Sequence, residues 1–149
     1  MDLTNFDIDK VLSRHRPKLF YKVLAYDEFN PKKCPYLPIA IVVNTFPLRK
    51  KDGGHWVALY IDSRKQAIFF DSYGLEPFGK FRLFFKNHAA ATVYNASFLQ
   101  LNNFSCGYHV IFFIMQIKKK KSLQKVLDLY RPHLDRDKMV VRFFNLINA

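Results

Sequence analysis

Cysteine and glycine are both scarce in this chain, and each shortage narrows what it can do. Only two cysteines, Cys34 and Cys106, occur in 149 residues. Two thiols do not make a disulfide framework, and no C-x-x-C or H-x-x-x-H spacing marks a metal site. The five glycines form neither a Walker loop nor a dinucleotide-binding fingerprint. No apolar run approaches the ~20 residues of a membrane span, so Val110–Ile117 is expected to be a buried helix rather than an anchor. The first ten residues carry Asp2, Asp7 and Asp9 and no apolar core, unlike a secretory signal. The expectation is an intracellular, reducing setting with no membrane contact and no metal, where a free thiol survives. On that expectation the sequons Asn95-Ala-Ser97 and Asn103-Phe-Ser105 are chance matches.

Acidic residues are also few, 12 against 24 Lys and Arg, which leaves a net charge of +12. Such an excess favours polyanions, either nucleic acid or an anionic surface. The cations gather at Arg14–Lys22, at Arg49, Lys50 and Lys51, and at Lys118, Lys119, Lys120 and Lys121. The last two groups are the candidate nucleic-acid contacts. With no sequence-reading module in view, any contact is expected to be to phosphates and salt-dependent. Lys118–Lys121 reads equally well as a solvated helix end. Half of the residues are hydrophobic and 16 are Phe, so a packed core is within reach and residues 1–149 are read as one domain.

There is no internal repeat, low-complexity tract or Gly/Ser linker. Phe6–Arg16 spaces Phe6, Ile8, Val11 and Leu12 among charges, which predicts a short amphipathic helix closed by Pro17. Tyr26–Leu37, with Pro31 and Pro35, reads as a loop. Ile39–Asn44 is apolar and β-branched between Pro38 and Pro47, hence a buried strand. Phe46–Gly54 is a polar connection ending in Gly-Gly. His55–Asp62 and Ala67–Tyr73 read as paired strands, Gly74–Gly79 as a turn, Lys80–His88 as a helix and Thr92–Leu99 as a strand. Ser105 is the expected N-cap of a helix over Cys106–Ile117, apolar on most sides and therefore central. Lys118–Lys121 suits its C-terminus. Ser122–Tyr130 and Asp135–Ile147 read as two further helices separated by Pro132.

Among these elements lies a set of parts for thiol-dependent acyl transfer. Cys106 opens the central helix, where the positive end of the dipole and unpaired N–H groups favour the nucleophilic thiolate. Taken alone, it reads more readily as a buried structural thiol. The step of six residues from Gln100 to Cys106, together with a His at a strand start, favours the chemical reading. A three-residue connection, Ser63–Lys65, opposes Asp62 with Gln66, and therefore His55 with Tyr73 and Asp71 with Val57. His55 and Asp71 then lie diagonally on one face, within hydrogen-bond reach. An even-length connection would separate them. His55 is the expected base, Asp71 the acid that orients it, and Gln100 an amide donor to an oxyanion, with the Cys106 N–H as a second. Gly54, Trp56 and Gly107 are the candidate substrate-binding positions, Gly107 because it would let a substrate backbone come close. His109 shares a helical face with Cys106 and is a rival base, but it has no evident acidic partner in the sequence.

The order His55-Trp56, Asp71, Gln100, Cys106-Gly107 resembles the adenain-like cysteine proteases, a clan that includes proteases of SUMO-like modifiers and of Maverick/Polinton-type elements. The best stretch is Ile41-Val-Val-Asn44-Thr45, then Gly53-Gly54-His55-Trp56-Val-Ala, then Phe69-Phe70-Asp71-Ser-Tyr-Gly74. The resemblance implies an α+β, papain-like cysteine protease fold of the adenain/SUMO-protease type. Its central helix carries the Cys and packs on a mixed, largely antiparallel sheet. It implies His55, Asp71, Cys106 and Gln100 as the catalytic set, with no cofactor required for chemistry. It also implies viral capsid or core precursors as substrates, cut beside small residues and Gly in a host nucleus or virion, with DNA and a short peptide as activators and a monomeric enzyme. Cys34 is the candidate partner cysteine for such a peptide. Two features lie closer to the modifier proteases: Asp71, where adenain has Glu, and the six-residue step from Gln100 to Cys106. An isopeptidase acting on ubiquitin-like modifiers therefore stays open, as does a non-enzymatic basic module that binds nucleic acid and has a structural thiol.

Overall fold

A computed structural model describes residues 2–48 and 54–149. The cluster Arg49, Lys50 and Lys51, with Gly53, lies outside the described residues. In chain order the elements are α1 (Asn5–His15), β1 (Phe20–Leu24), a 3-10 turn (Tyr26–Glu28), β2 (Ile39–Asn44), β3 (Trp56–Ile61), β4 (Gln66–Phe70), α2 (Gly79–His88), β5 (Ala91–Tyr94), α3 (Cys106–Lys120), α4 (Leu123–Asp128) and α5 (Arg136–Ile147). The strands form one mixed sheet in the order β1-β2-β3-β4-β5. Its centre is antiparallel, and a parallel pair closes each edge.

Both faces of this sheet are covered, which is why its central strands read as near-continuous apolar runs. Side chains alternate with the period of two that a strand imposes. Ala40, Val42, Ala58, Ile68 and Phe70 face α3 in one cluster. Ile39, Ile41, Val43, Val57, Leu59, Ile61 and Phe69 face the other way, against Phe81, Phe84 and Phe85 of α2 and against Phe29. Helix α3 is apolar on most sides because it lies between the sheet and the layer formed by α1, α4 and α5. Phe113 on α3 is fully buried, stacked on Phe70 at 4.6 Å and meeting the edge of Tyr60 at 6.4 Å. Phe113→Ala is expected to cost about 3–5 kcal/mol through lost transfer energy and a cavity that cannot collapse. A lower urea midpoint with an unchanged m-value would show it.

Several sequence readings need adjusting. Strand β1 was not evident in the sequence, because a five-residue edge strand carrying Lys22 gives little signal. The strand expected over Thr92–Leu99 is confined to Ala91–Tyr94. Beyond it Asn95 turns inward, and Ala96 adopts a positive φ of 51°. Ser105 precedes α3 as expected but does not cap it with its side chain. Its Oγ donates instead to Asp137 Oδ1 at 2.7 Å. At the other end, Lys121 takes the left-handed conformation and its N–H closes the last turn on Ile117 O at 2.8 Å.

Candidate active site

The register of β3 and β4 sets the site. Ala58 pairs with Phe70 and Ile61 with Ala67, and the Asp62 N–H donates to Gln66 O at 2.9 Å, as the three-residue connection requires. Continuing that register places His55, just before β3, diagonally from Asp71, just after β4. Their side chains meet, His55 Nε2 to Asp71 Oδ1, at 2.5 Å. Asp71 is 1% exposed and is held on every side. Its Oδ1 also accepts the Tyr73 N–H at 2.9 Å. Its backbone is gripped by Asn95, which accepts from Asp71 N at 3.1 Å and donates to Asp71 O at 2.6 Å. The His55 ring stacks on Tyr73 at 4.4 Å, and Tyr73 stacks in turn on Phe98 at 5.5 Å. Asn95 thus spends its amide on the site; of the sequons read as chance matches, this one has a structural use.

Cys106 is the first residue of α3, and its N–H has no partner within the helix. It remains 8% exposed. The backbone N–H of Trp56 donates to its sulfur at 3.5 Å. His55 directly precedes Trp56, so the turn that brings the Trp56 N–H to the sulfur also brings the imidazole to this end of α3. Nε2 is engaged by the carboxylate, which leaves Nδ1 as the other ring nitrogen. Burial alone would lower the His55 pKa, but the hydrogen bond and charge of Asp71, with the influence of Cys106, raise it from 6.5 to about 9. The ring is therefore an imidazolium at neutral pH, held by the Asp71 carboxylate and the face of Tyr73. Cys34, by contrast, donates to Tyr36 O at 3.6 Å, and burial pushes its thiol pKa up.

Gln100 is fully buried, and its amide is oriented at both ends. Ser72 Oγ donates to its Oε1 at 2.5 Å, and its Nε2 donates to Asn102 O at 2.9 Å. The second Nε2 proton is left over. Gly54 has φ +86°, and a Cβ there would collide with Asn44 Oδ1, so glycine is required for the turn into His55. Trp56 donates from Nε1 to Leu3 O at 3.4 Å and lines a cavity of about 280 Å³ with Thr4, Val23, Asn44, Phe46 and Leu48. Gly107 corrects an expectation: it is buried, and the space beside it is filled by Leu3, Ile8 and Trp56. Its lack of a side chain lets α1 and Trp56 approach α3, not a substrate backbone. His109 corrects another. It does have an acidic partner, Asp137, at 2.8 Å, and its Nδ1 meets Tyr130 OH at 3.0 Å. Both ring nitrogens are thereby taken within the core, which removes it as a rival base.

The basic cluster Lys118–Lys121 stands at the far end of the helix that Cys106 begins. Fifteen helical residues put it about 20 Å from the sulfur, at 1.5 Å per residue. Among the described residues, no group of three or more His, Cys, Asp or Glu is placed to hold a metal ion, and no helix is long and apolar enough to cross a membrane. Reading the sequence singled out His55, Asp71, Gln100 and Cys106 but missed the residues that position them. Ser72 and Tyr73 carried a signal, directly after Asp71. Asn95 and Asp137 carried none, since only folding brings them near.

A sulfur at a helix N-terminus, an imidazole bonded to a buried carboxylate on the strand pair beside it and an amide oriented at both ends are the kinds of group that thiol-dependent attack on a carbonyl requires. No family model matches the sequence. Comparison with curated proteins likewise gives no match. Solved structures do share the fold. The crystal structure of ASFV pS273R protease superposes with a TM-score of 0.67 at 22% identity, covering 84% of this chain and 60% of that one. Its selenomethionine form gives 0.58 at 23% identity, with 84% and 61% covered. A structure of the SUMO protease Ulp1 with its catalytic cysteine oxidised to a sulfinic acid gives 0.51 at 12% identity, covering 97% of this chain and 79% of that one. This chain thus spans less than two thirds of the length of the pS273R protease chains. It has the α+β architecture that the resemblance implied, a mixed sheet with the cysteine-bearing helix packed upon it.

Proposed function

We propose that this chain is a cysteine endopeptidase in which Cys106 is the nucleophile, His55 the general acid and base, Asp71 its orienting carboxylate and Gln100 an oxyanion donor. The observation that carries this reading is the convergence of Cys106, His55 and Asp71 at the N-terminus of α3. In the first half-reaction the Cys106 thiolate adds to the scissile carbonyl. The negative oxygen that develops is held by the remaining Gln100 Nε2 proton and the Cys106 N–H. As the C–N bond breaks, His55 gives its Nδ1 proton to the leaving amine, and a thioester remains. In the second half-reaction neutral His55 takes a proton from water, and the hydroxide adds to the thioester. Collapse expels the thiolate, releases the carboxylic acid and restores the ion pair.

The substrates proposed are precursor polypeptides of a virus or virus-like element, cleaved beside small residues and Gly. The cavity beside Trp56 is the candidate place for a substrate side chain. Lys118–Lys121 would hold DNA phosphates about 20 Å from the sulfur, so DNA would add affinity or order rather than chemistry. A second reading, an isopeptidase for ubiquitin-like modifiers, is favoured by the fold shared with the SUMO protease Ulp1 across 97% of this chain. Assaying a Gly-Gly-ended modifier fusion beside precursor-derived peptides separates the two.

The test is alkylation and hydrolysis measured on one preparation. Near pH 7, iodoacetamide should modify Cys106 at least about tenfold faster than Cys34, because the thiolate is the reactive form and burial raises the Cys34 pKa. Labelling at Cys106 should abolish hydrolysis. Cys34, whose pKa is raised, should gain reactivity only toward alkaline pH. Equal labelling of the two thiols, or hydrolysis surviving modification of Cys106, would favour a non-enzymatic module with a structural cysteine.

A further inference from the structure

One buried carboxylate has no part in the chemistry just described. Asp137 is the second residue of α5 and is 7% exposed. It accepts four hydrogen bonds, two on each oxygen. Oδ1 takes Ser105 Oγ at 2.7 Å and His109 Nε2 at 2.8 Å. Oδ2 takes the Leu101 N–H at 3.0 Å and the Asn102 N–H at 2.9 Å. Burial alone would raise its pKa, but the hydrogen bonds from His109, Asn102, Ser105 and Leu101 outweigh burial and hold it well below the ordinary carboxylate range. Burial likewise lowers the His109 pKa, so that ring is neutral. A neutral ring facing a carboxylate donates from Nε2–H, and its Nδ1 then accepts from Tyr130 O–H.

Three of the four donors either lie in, or directly adjoin, the segment between the two proposed oxyanion donors. Leu101 follows Gln100, and Asn102 O accepts from Gln100 Nε2 at 2.9 Å. Asn102 Oδ1 accepts the Ser105 N–H at 2.9 Å, and Ser105 immediately precedes Cys106. Residues 101–105 belong to no strand or helix, so neither a ladder nor a helical turn holds them. Asp137 reaches across from α5 and closes the segment from both ends. We infer that Asp137 is a positioning residue for oxyanion stabilisation: it sets the direction of the Gln100 amide and the Cys106 N–H by fixing residues 101–105. This inference rests on the peptidase reading.

Asp137→Asn keeps the shape but cannot keep the bonds. An amide has one accepting oxygen, and its NH2 group must face two of the four donors. Kcat is expected to fall about 10²–10³-fold, as when an oxyanion donor is lost, while KM stays unchanged. Affinity for a peptide aldehyde, whose hemithioacetal carries the corresponding oxygen, should fall in parallel with kcat. The rate of Cys106 alkylation should not change, because the His55 pair is untouched; a generally loosened fold would change it. Ser105→Ala removes one donor and should lower kcat about tenfold, the size of one hydrogen bond to a charged group. It decides the question alone if Asp137→Asn does not fold. Wild-type kcat in a folded Asp137→Asn or Ser105→Ala chain overturns the inference, and so does loss of alkylation in step with kcat. A wild-type chain without Cys106-dependent hydrolysis overturns the peptidase reading and this inference together; active wild type with equally active variants overturns only this one.

Discussion

Cys106→Ala is expected to abolish peptide hydrolysis, with a loss of about 10⁶-fold in kcat, the scale on which removal of a triad nucleophile acts. No other sulfur can substitute, since Cys34 donates to Tyr36 O and lies on a different part of the fold. The methyl group of alanine leaves the start of α3 in place, while the Trp56 N–H loses its sulfur partner. Folding should therefore survive, and near-native thermal unfolding beside absent turnover would separate chemistry from structure. Cys106→Ser should be nearly as inactive, because an alcohol does not ionise beside an imidazolium at neutral pH. Turnover at the wild-type rate by Cys106→Ala would place the chemistry elsewhere.

Asp71→Asn is expected to have the next largest effect, about 10²–10⁴-fold in kcat, the range contributed by a positioned general acid or base. The substitution leaves the backbone clamp intact, because Asn95 grips the main chain of residue 71. What changes is the ring of His55. Burial lowers its pKa, and Asp71 is the foremost of the groups that raise it to about 9. Wild-type kcat/KM should thus hold up to an alkaline limb near pH 9, where His55 loses the proton it must give to the leaving amine. In Asp71→Asn that limb should move down, toward the ordinary 6.5. Stability follows the same sign. A His whose pKa rises on folding contributes fully below its unfolded value of 6.5, and the contribution is lost as pH rises through about 9. Wild type should accordingly lose stability over that window in urea titrations, and Asp71→Asn should lose much less. An alkaline limb that stays near pH 9 in the variant would remove Asp71 from the triad.

Much of this site could be read from the chain alone, for reasons that differ from residue to residue. His55 and Asp71 were legible as a pair because a three-residue connection admits one register, and a register determines which side chains share a face. The place of Cys106 at the start of α3 was legible from the apolar run behind it, but its chemical reading leaned on the spacing from Gln100 and on a His at a strand start. Gln100 was legible only by its spacing to Cys106, and its orientation by Ser72 and Asn102 was not. Gly107 was misread because a bare backbone at a helix start has two uses, and sequence does not say whether the neighbour is a substrate or the chain's own α1. His109 was misjudged for a related reason: its acid stands on another helix.

The sequence by itself determined the strand register, the central helix and which candidate groups, His55 and Asp71, would share a face, since all three follow from local spacing and patterning along one stretch of chain. Only the tertiary structure decided what orients those groups. Asn95 behind Asp71, Ser72 on Gln100 and Asp137 beneath the segment before Cys106 each act across distant positions. Such contacts leave no periodic trace in the chain, because a single hydrogen bond between remote residues depends on where whole elements dock.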